Sequence, residues 1–139
     1  MPTPAPCIEP PGSDLDFFLM IGLGAVPNGE RAVVPREKLE RYVLSPDHPT
    51  GRHKARVFAA ALGIHDVDWP YLADQLTKAA ASAPVVAIRE SAWGLSYEVE
   101  SLVDGLNGRS HPVISIWFAA RDPSGDPDPR LITCYVAIP

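Results

Sequence analysis

The sequence predicts an α+β domain: three helices followed by a four-stranded antiparallel sheet, with the helices on one face. Three observations carry that expectation. Apolar residues recur at helical spacing between residues 36 and 82. After Pro84 the period changes to two. The four strand-like runs that follow are joined by short connections, which favour antiparallel neighbours. At 139 residues the chain has the size of one domain with a useful core.

Composition divides the chain at about residue 24. Five of the 16 prolines (Pro2, Pro4, Pro6, Pro10 and Pro11) fall in the first eleven residues, the mark of an extended tail. Phe17–Val26 is apolar but only about ten residues long, too short to span a bilayer. No basic cluster precedes it, so a signal peptide is not expected. Residues 1–24 therefore read as a proline-rich and apolar extension, with Met20 as an alternative start, and residues 25–139 as a single α+β domain. Cys7 and Cys134 lie in dissimilar settings and read as reduced thiols, which suits the cytoplasm.

The elements follow in order. Ala32-Val-Val-Pro35 is a short extended piece. Pro35 suits the first position of a helix over 36–44, with Leu39, Tyr42 and Val43 as its apolar face. Next comes Ser45-Pro-Asp-His-Pro-Thr-Gly51, a loop stiffened by Pro46 and Pro49, with Gly51 offering conformational freedom before the next helix. From Arg52, apolar positions Ala55, Phe58, Ala59 and Leu62 mark the second helix, and Gly63 sits where a helix stops. Asp68 is the N-cap candidate of a third helix running to about Ser82, with Pro70 in its first turn. The strands are expected at 85–90, 96–102, 112–120 and 130–138, with Gly94 permitting the first hairpin and Asn107-Gly-Arg109 in the second turn. Alternation places Ile114, Ile116 and Phe118 on the core face, together with Ile132, Cys134, Val136 and Ile138. Ser115, Trp117, Thr133 and Tyr135 then form an outer face suited to stacking a base.

Charge narrows the function classes. The net charge is −5, yet residues 1–30 hold four carboxylates and no Lys or Arg, while half of the cations lie within residues 36–56. That distribution suits a local phosphate-binding patch rather than non-specific nucleic-acid binding. His48, His53, His65 and His111 lack metal-ligand spacing, and there is no dinucleotide fingerprint, Walker loop or nucleophile elbow. Neither metal nor cofactor is expected.

The remaining set of imidazole, ammonium, guanidinium and hydroxyl groups suits RNA cleavage by the RNA's own 2′-hydroxyl. In that reading His48, Lys54, Arg109 and Thr133 are the catalytic candidates: His48 as base or acid, Lys54 and Arg109 on the scissile phosphate, and Thr133 or Tyr135 as hydrogen-bond donor. Arg52, His53, Ser115, Trp117 and Tyr135 are the substrate-binding candidates. With helices on the inner sheet face Thr133 points outward, so the His48 loop must wrap the sheet edge for the two to meet.

The block His48-Pro-Thr-Gly-Arg-His-Lys-Ala55, with Val34-Pro-Arg-Glu-Lys-Leu39 before it and Leu106-Asn-Gly-Arg109, Ser115-Ile-Trp117 and Pro129-Arg-Leu-Ile-Thr133 after it, resembles an uncharacterised bacterial domain family. That family occurs in toxin–antitoxin-like gene pairs and attached to larger toxin or phage proteins. The order of elements, ending in an Arg-x-x-Thr-x-Tyr strand, also looks like the barnase/EndoU/colicin/RelE group of metal-independent ribonucleases. This chain departs from the family in reading Gly105-Leu106 for Gly-Pro, and Thr133-Cys-Tyr-Val136 for Thr-Ala-Tyr-Pro. The resemblances imply a cytoplasmic toxin-type endoribonuclease with RNA as substrate and a cognate antitoxin as partner. The alternative is a non-catalytic binding module of antitoxin, immunity or phage-associated type.

Overall fold

The computed structural model describes residues 24–121 and 127–137. Residues 1–23, 122–126 and 138–139, which include most of the expected extension and Ile138, lie outside the described residues. Three helical segments precede a four-stranded meander of order β1-β2-β3-β4, all pairs antiparallel. Among the described residues no helix is long and apolar enough to cross a membrane.

The first helix, α1, begins at Arg36–Lys38 as an α-turn and widens into a π-turn over Leu39–Val43, closed by the Leu44 amide donating to Leu39 O at 2.8 Å. Pro35 stands just outside it in extended conformation rather than at its first helical position. The widened turn lets Leu39, Val43 and Leu44 all enter the core while Tyr42 stays at the surface of it. Helix α2 spans Arg52–Leu62 and stops at Gly63, whose φ of 67° is the left-handed cap the sequence calls for. Helix α3 spans Trp69–Ser82. Asp68 precedes it, but its carboxylate accepts the His65 amide at 3.0 Å and so caps the preceding 3-10 turn, Asp66–Asp68. The Arg36 guanidinium stands 4.9 Å from the Trp69 ring and pairs with Glu40, tying α1 to α3.

The strands are β1 Val85–Ser91, β2 Gly94–Asp104, β3 Ser110–Ala120 and β4 Arg130–Val136. Ala92-Trp93 is the two-residue connection of the first hairpin. Val33 adds one parallel bridge to Arg130, extending the edge of β4.

The sheet faces correct the expectation for β3. Val113, Ser115 and Trp117 face the helices, and Trp117 is 0% exposed at the centre of the core. Ser115 and Trp117 are therefore core residues, not an outer stacking surface. The Trp117 indole N–H donates to Ser115 Oγ at 2.9 Å. Without that acceptor a buried N–H would cost about 1–3 kcal/mol. The alternation misleads because the polar residue in the middle of β3, Ser115, lies on the buried face, while the apolar Ile114, Ile116 and Phe118 line the outer one. On β4, Cys134 and Val136 face the core as expected, whereas Ile132 does not. The register shifts between Ile116 and Trp117, so Leu131 and Cys134 both point inward with Ile132 as the extra residue. Thr133 and Tyr135, paired with Ile116 and Ile114, lie on the outer face as the alternation indicated.

Cys134 is fully buried, and burial pushes its thiol up from 9.0 to about 12, an effect the Lys54 ammonium partly offsets. A raised folded-state value means that this contribution to stability is fully present below pH 9.0 and is lost as the pH rises toward 12. In a Cys7→Ser background, Cys134 is expected to resist alkylation at neutral pH unless urea is present. The urea midpoint should fall across the alkaline interval, and by less in Cys134→Ala. Rapid alkylation of the native chain at neutral pH would contradict this burial.

Candidate functional site

The π-turn, the loop that follows it and the start of α2 converge on one side chain, Tyr42. The His48 ring meets the Tyr42 ring edge-on, with centroids 4.8 Å apart. Lys54 Nζ lies 5.2 Å from the centroid of the same ring and donates to its hydroxyl at 3.3 Å. Gly51 makes this approach possible. Its φ of −70° is ordinary, so the conformational freedom expected of it is not used. A Cβ there would stand 1.9 Å from Tyr42 O, so glycine is needed for lack of a side chain.

His48 orders its own loop. Its Nδ1 accepts the Thr50 amide at 3.0 Å and the Gly51 amide at 2.9 Å. The neutral ring therefore carries its proton on Nε2, which is a donor in this arrangement. Tyr42 and His48 line a cleft of about 340 Å³ with Pro35, Glu37, Lys38 and Arg130. The cleft opens at the edge of β4, because Arg130 is the first residue of that strand and Val33 pairs beside it. The cleft thus reaches the sheet edge, but Thr133, which the loop was expected to meet there, does not line it.

Of the four catalytic candidates, His48 and Lys54 come together through Tyr42. Arg109 does not join them. The β2–β3 turn that carries it is docked on the C-terminal end of α2: the Leu106 amide donates to Leu62 O at 2.8 Å, and Asn107 Nδ2 to Ala61 O at 3.2 Å. His48 stands at the other end of that helix, whose rise from Arg52 to Leu62 is about 15 Å. Thr133 lies on the outer face of β4, and its buried hydroxyl has no hydrogen-bond partner among the described residues. Of the substrate-binding candidates, Arg52 and His53 are exposed at the start of α2, Tyr135 is partly exposed on the outer sheet face, and Ser115 and Trp117 are buried.

Two cleft residues escaped the sequence reading. Tyr42 carries an apolar-face pattern, and only the π-turn turns it toward the loop. Arg130 reads as a strand start, and only the parallel bridge to Val33 brings it to the cleft. The cationic run over residues 36–56 was the signal available for Lys38. Among the described residues no group of three or more His, Cys, Asp and Glu could hold a metal ion.

Gly51→Ala is expected to cost about 1–3 kcal/mol, the scale of overpacking a tight contact. Urea denaturation measures the loss, and the NMR cross-peaks between the His48 and Tyr42 rings should vanish with it. A variant of wild-type stability with those cross-peaks intact would show that the loop does not depend on this contact.

No curated protein matches the chain in sequence. A chain of the contact-dependent growth inhibition toxin–immunity protein complex from Klebsiella pneumoniae 342 has a similar structure, with a TM-score of 0.59 and 20% identity. The match covers 81% of this chain and 98% of that one, a likeness of fold. The family model that describes a "Domain of unknown function (DUF6883)" matches residues 25–138, and the chain belongs to that family.

Proposed function

We propose that this protein is a toxin-type ribonuclease that acts in the cytoplasm and cleaves RNA without a metal, through attack of the 2′-hydroxyl on the adjacent phosphate. The observation that carries this reading is the cleft at the β4 edge. There His48 and Tyr42 line the wall with Lys38, Arg130 and the carboxylate of Glu37, and Lys54 reaches the Tyr42 hydroxyl from α2. Cations held in a cleft stabilise the charge that develops on a phosphorane, which is commonly the largest single contribution to catalysis. His48 Nε2–H donates to a phosphoryl oxygen. The Tyr42 hydroxyl, donor and acceptor at once, relays the 2′ proton toward the departing 5′-oxygen with Lys54 Nζ against it. Arg130 takes the phosphate-holding role expected of Arg109. Arg109 and Thr133 stand outside the cleft and carry no step.

The toxin–immunity complex in which the similar fold occurs supports a pairing in which a partner protein masks this cleft. A second reading, a non-catalytic binding module, is favoured by the outer sheet face, where Leu102 is 66% exposed and Tyr135 37%.

Purified protein incubated with total bacterial RNA in excess EDTA should yield fragments ending in 2′,3′-cyclic phosphate. Lys54→Ala and His48→Ala should each lower the rate about 100-fold or more, the scale of losing one positioned donor. Tyr42→Phe, which removes the proton relay, should lower the rate at least as far. Intact RNA together with a stable complex with a partner protein would replace the ribonuclease reading with the binding-module one.

A further inference from the structure

The distribution of unpaired cations extends beyond the β4 cleft. Among the described residues Arg31, Arg36, Lys78 and Arg121 form ion pairs with carboxylates. Among the same residues Lys38, Arg41, Arg52, Lys54, Arg56, Arg89, Arg109 and Arg130 form none, and five of these eight fall within residues 38–56, although acids outnumber bases in the chain 17 to 12. Helical spacing sorts those on α2. Ala55, Phe58 and Leu62 form its buried seam, with Lys54 on one flank of the seam and Arg52 and Arg56 together on the other.

On that second flank lies a separate cavity of about 250 Å³. Its floor is Leu44, Pro46, Ala55 and Ala59, and its rim carries Arg52, Arg56, His65 and Asp66. The small side chains of Ala55 and Ala59 leave apolar surface open beside Arg52 and Arg56. One oxygen of Asp66 accepts the Val67 amide at 2.9 Å, and its other oxygen has no bond among the described residues. The Ser45–Gly51 loop joins the two sites, giving Pro46 to this cavity and His48 to the cleft.

We propose that this cavity is a nucleotide subsite that takes a base bearing an exocyclic amine, on the same strand as the cleaved phosphate. The inference rests on the RNA reading above and adds a base preference to it. The apolar floor and guanidinium planes suit a base face, and the guanidinium charges suit the backbone phosphate. The free Asp66 oxygen is an acceptor only, so it matches the amine of cytosine, whereas uracil offers it only N3–H beside the repelling O4. A volume near the lower end of ligand-site sizes fits a single base. His65 closes the rim beside the carboxylate.

Short 2′-O-methyl oligo(C) and oligo(U), which cannot be cleaved by 2′-attack, separate binding from catalysis. By fluorescence anisotropy the full chain should bind oligo(C) about tenfold more tightly than oligo(U). Asp66→Asn should reduce that preference to less than about twofold while retaining binding. Arg52→Ala and Arg56→Ala should weaken both oligonucleotides alike, each lowering the salt slope by about 0.7. Equal affinity for the two oligonucleotides in the wild type, or binding indifferent to all three substitutions, overturns the subsite. If the oligonucleotides bind as described but total RNA stays intact, the subsite stands and the ribonuclease reading falls. If RNA is cut in a His48-dependent manner while residues 52, 56 and 66 change nothing, the ribonuclease reading stands alone.

Discussion

The contact between Gly51 and the backbone of Tyr42 sets the geometry on which the candidate site depends. It brings the Ser45–Gly51 loop down onto α1, and only glycine permits so close an approach. With the loop seated, the Thr50 and Gly51 amides point at His48 Nδ1, and the imidazole stands against the Tyr42 ring. Helix α2 then starts in a position that places Lys54 Nζ over the same ring. One tyrosine thus aligns two charged or titratable side chains that come from different elements. The π-turn in α1 is part of this arrangement, since it sends Leu39, Val43 and Leu44 inward and leaves Tyr42 at the rim.

The sheet supplies the other wall. A meander leaves β4 as an edge strand, and edges need cover. The single bridge from Val33 covers the start of β4 and brings Arg130 to the cleft, while α2 packs across its inner face. At the other end of α2 the Leu106 and Asn107 bonds to Leu62 and Ala61 carbonyls satisfy the helix C-terminus. That docking is the physical reason Arg109 is held away from His48: its turn serves as a cap for the helix.

Much of the fold was legible in local sequence. Gly63 at the end of α2, the period change after Pro84 and the short Ala92-Trp93 connection each act within a few residues, so their reading needs no tertiary information. What was not legible arises from contacts between distant segments. The role of Gly51 comes from a carbonyl nine positions earlier in the chain, and Arg130 reaches the cleft through a bridge to Val33. The faces of β3 were misread because its polar Ser115 lies on the buried side and apolar residues line the outer one. The choice was made by volume, with the large Trp117 ring filling the core and Ser115 satisfying its N–H. Among the candidate residues, His48 and Lys54 were found because they lie in one short stretch. Arg109 and Thr133 are candidates by side-chain chemistry alone, and their placement depends on register and docking.

The state of one imidazole tests this arrangement most directly. Nitrogen-15 chemical shifts of the His48 ring, measured on the wild type at a pH where the ring is neutral, report which nitrogen bears the proton. The geometry predicts a bare, acceptor-type Nδ1 and a protonated Nε2, with that distinction averaging out in Tyr42→Ala. A ring that carries its proton on Nδ1, or that exchanges freely between the two forms in the wild type, would contradict the loop arrangement and the chemistry assigned to it.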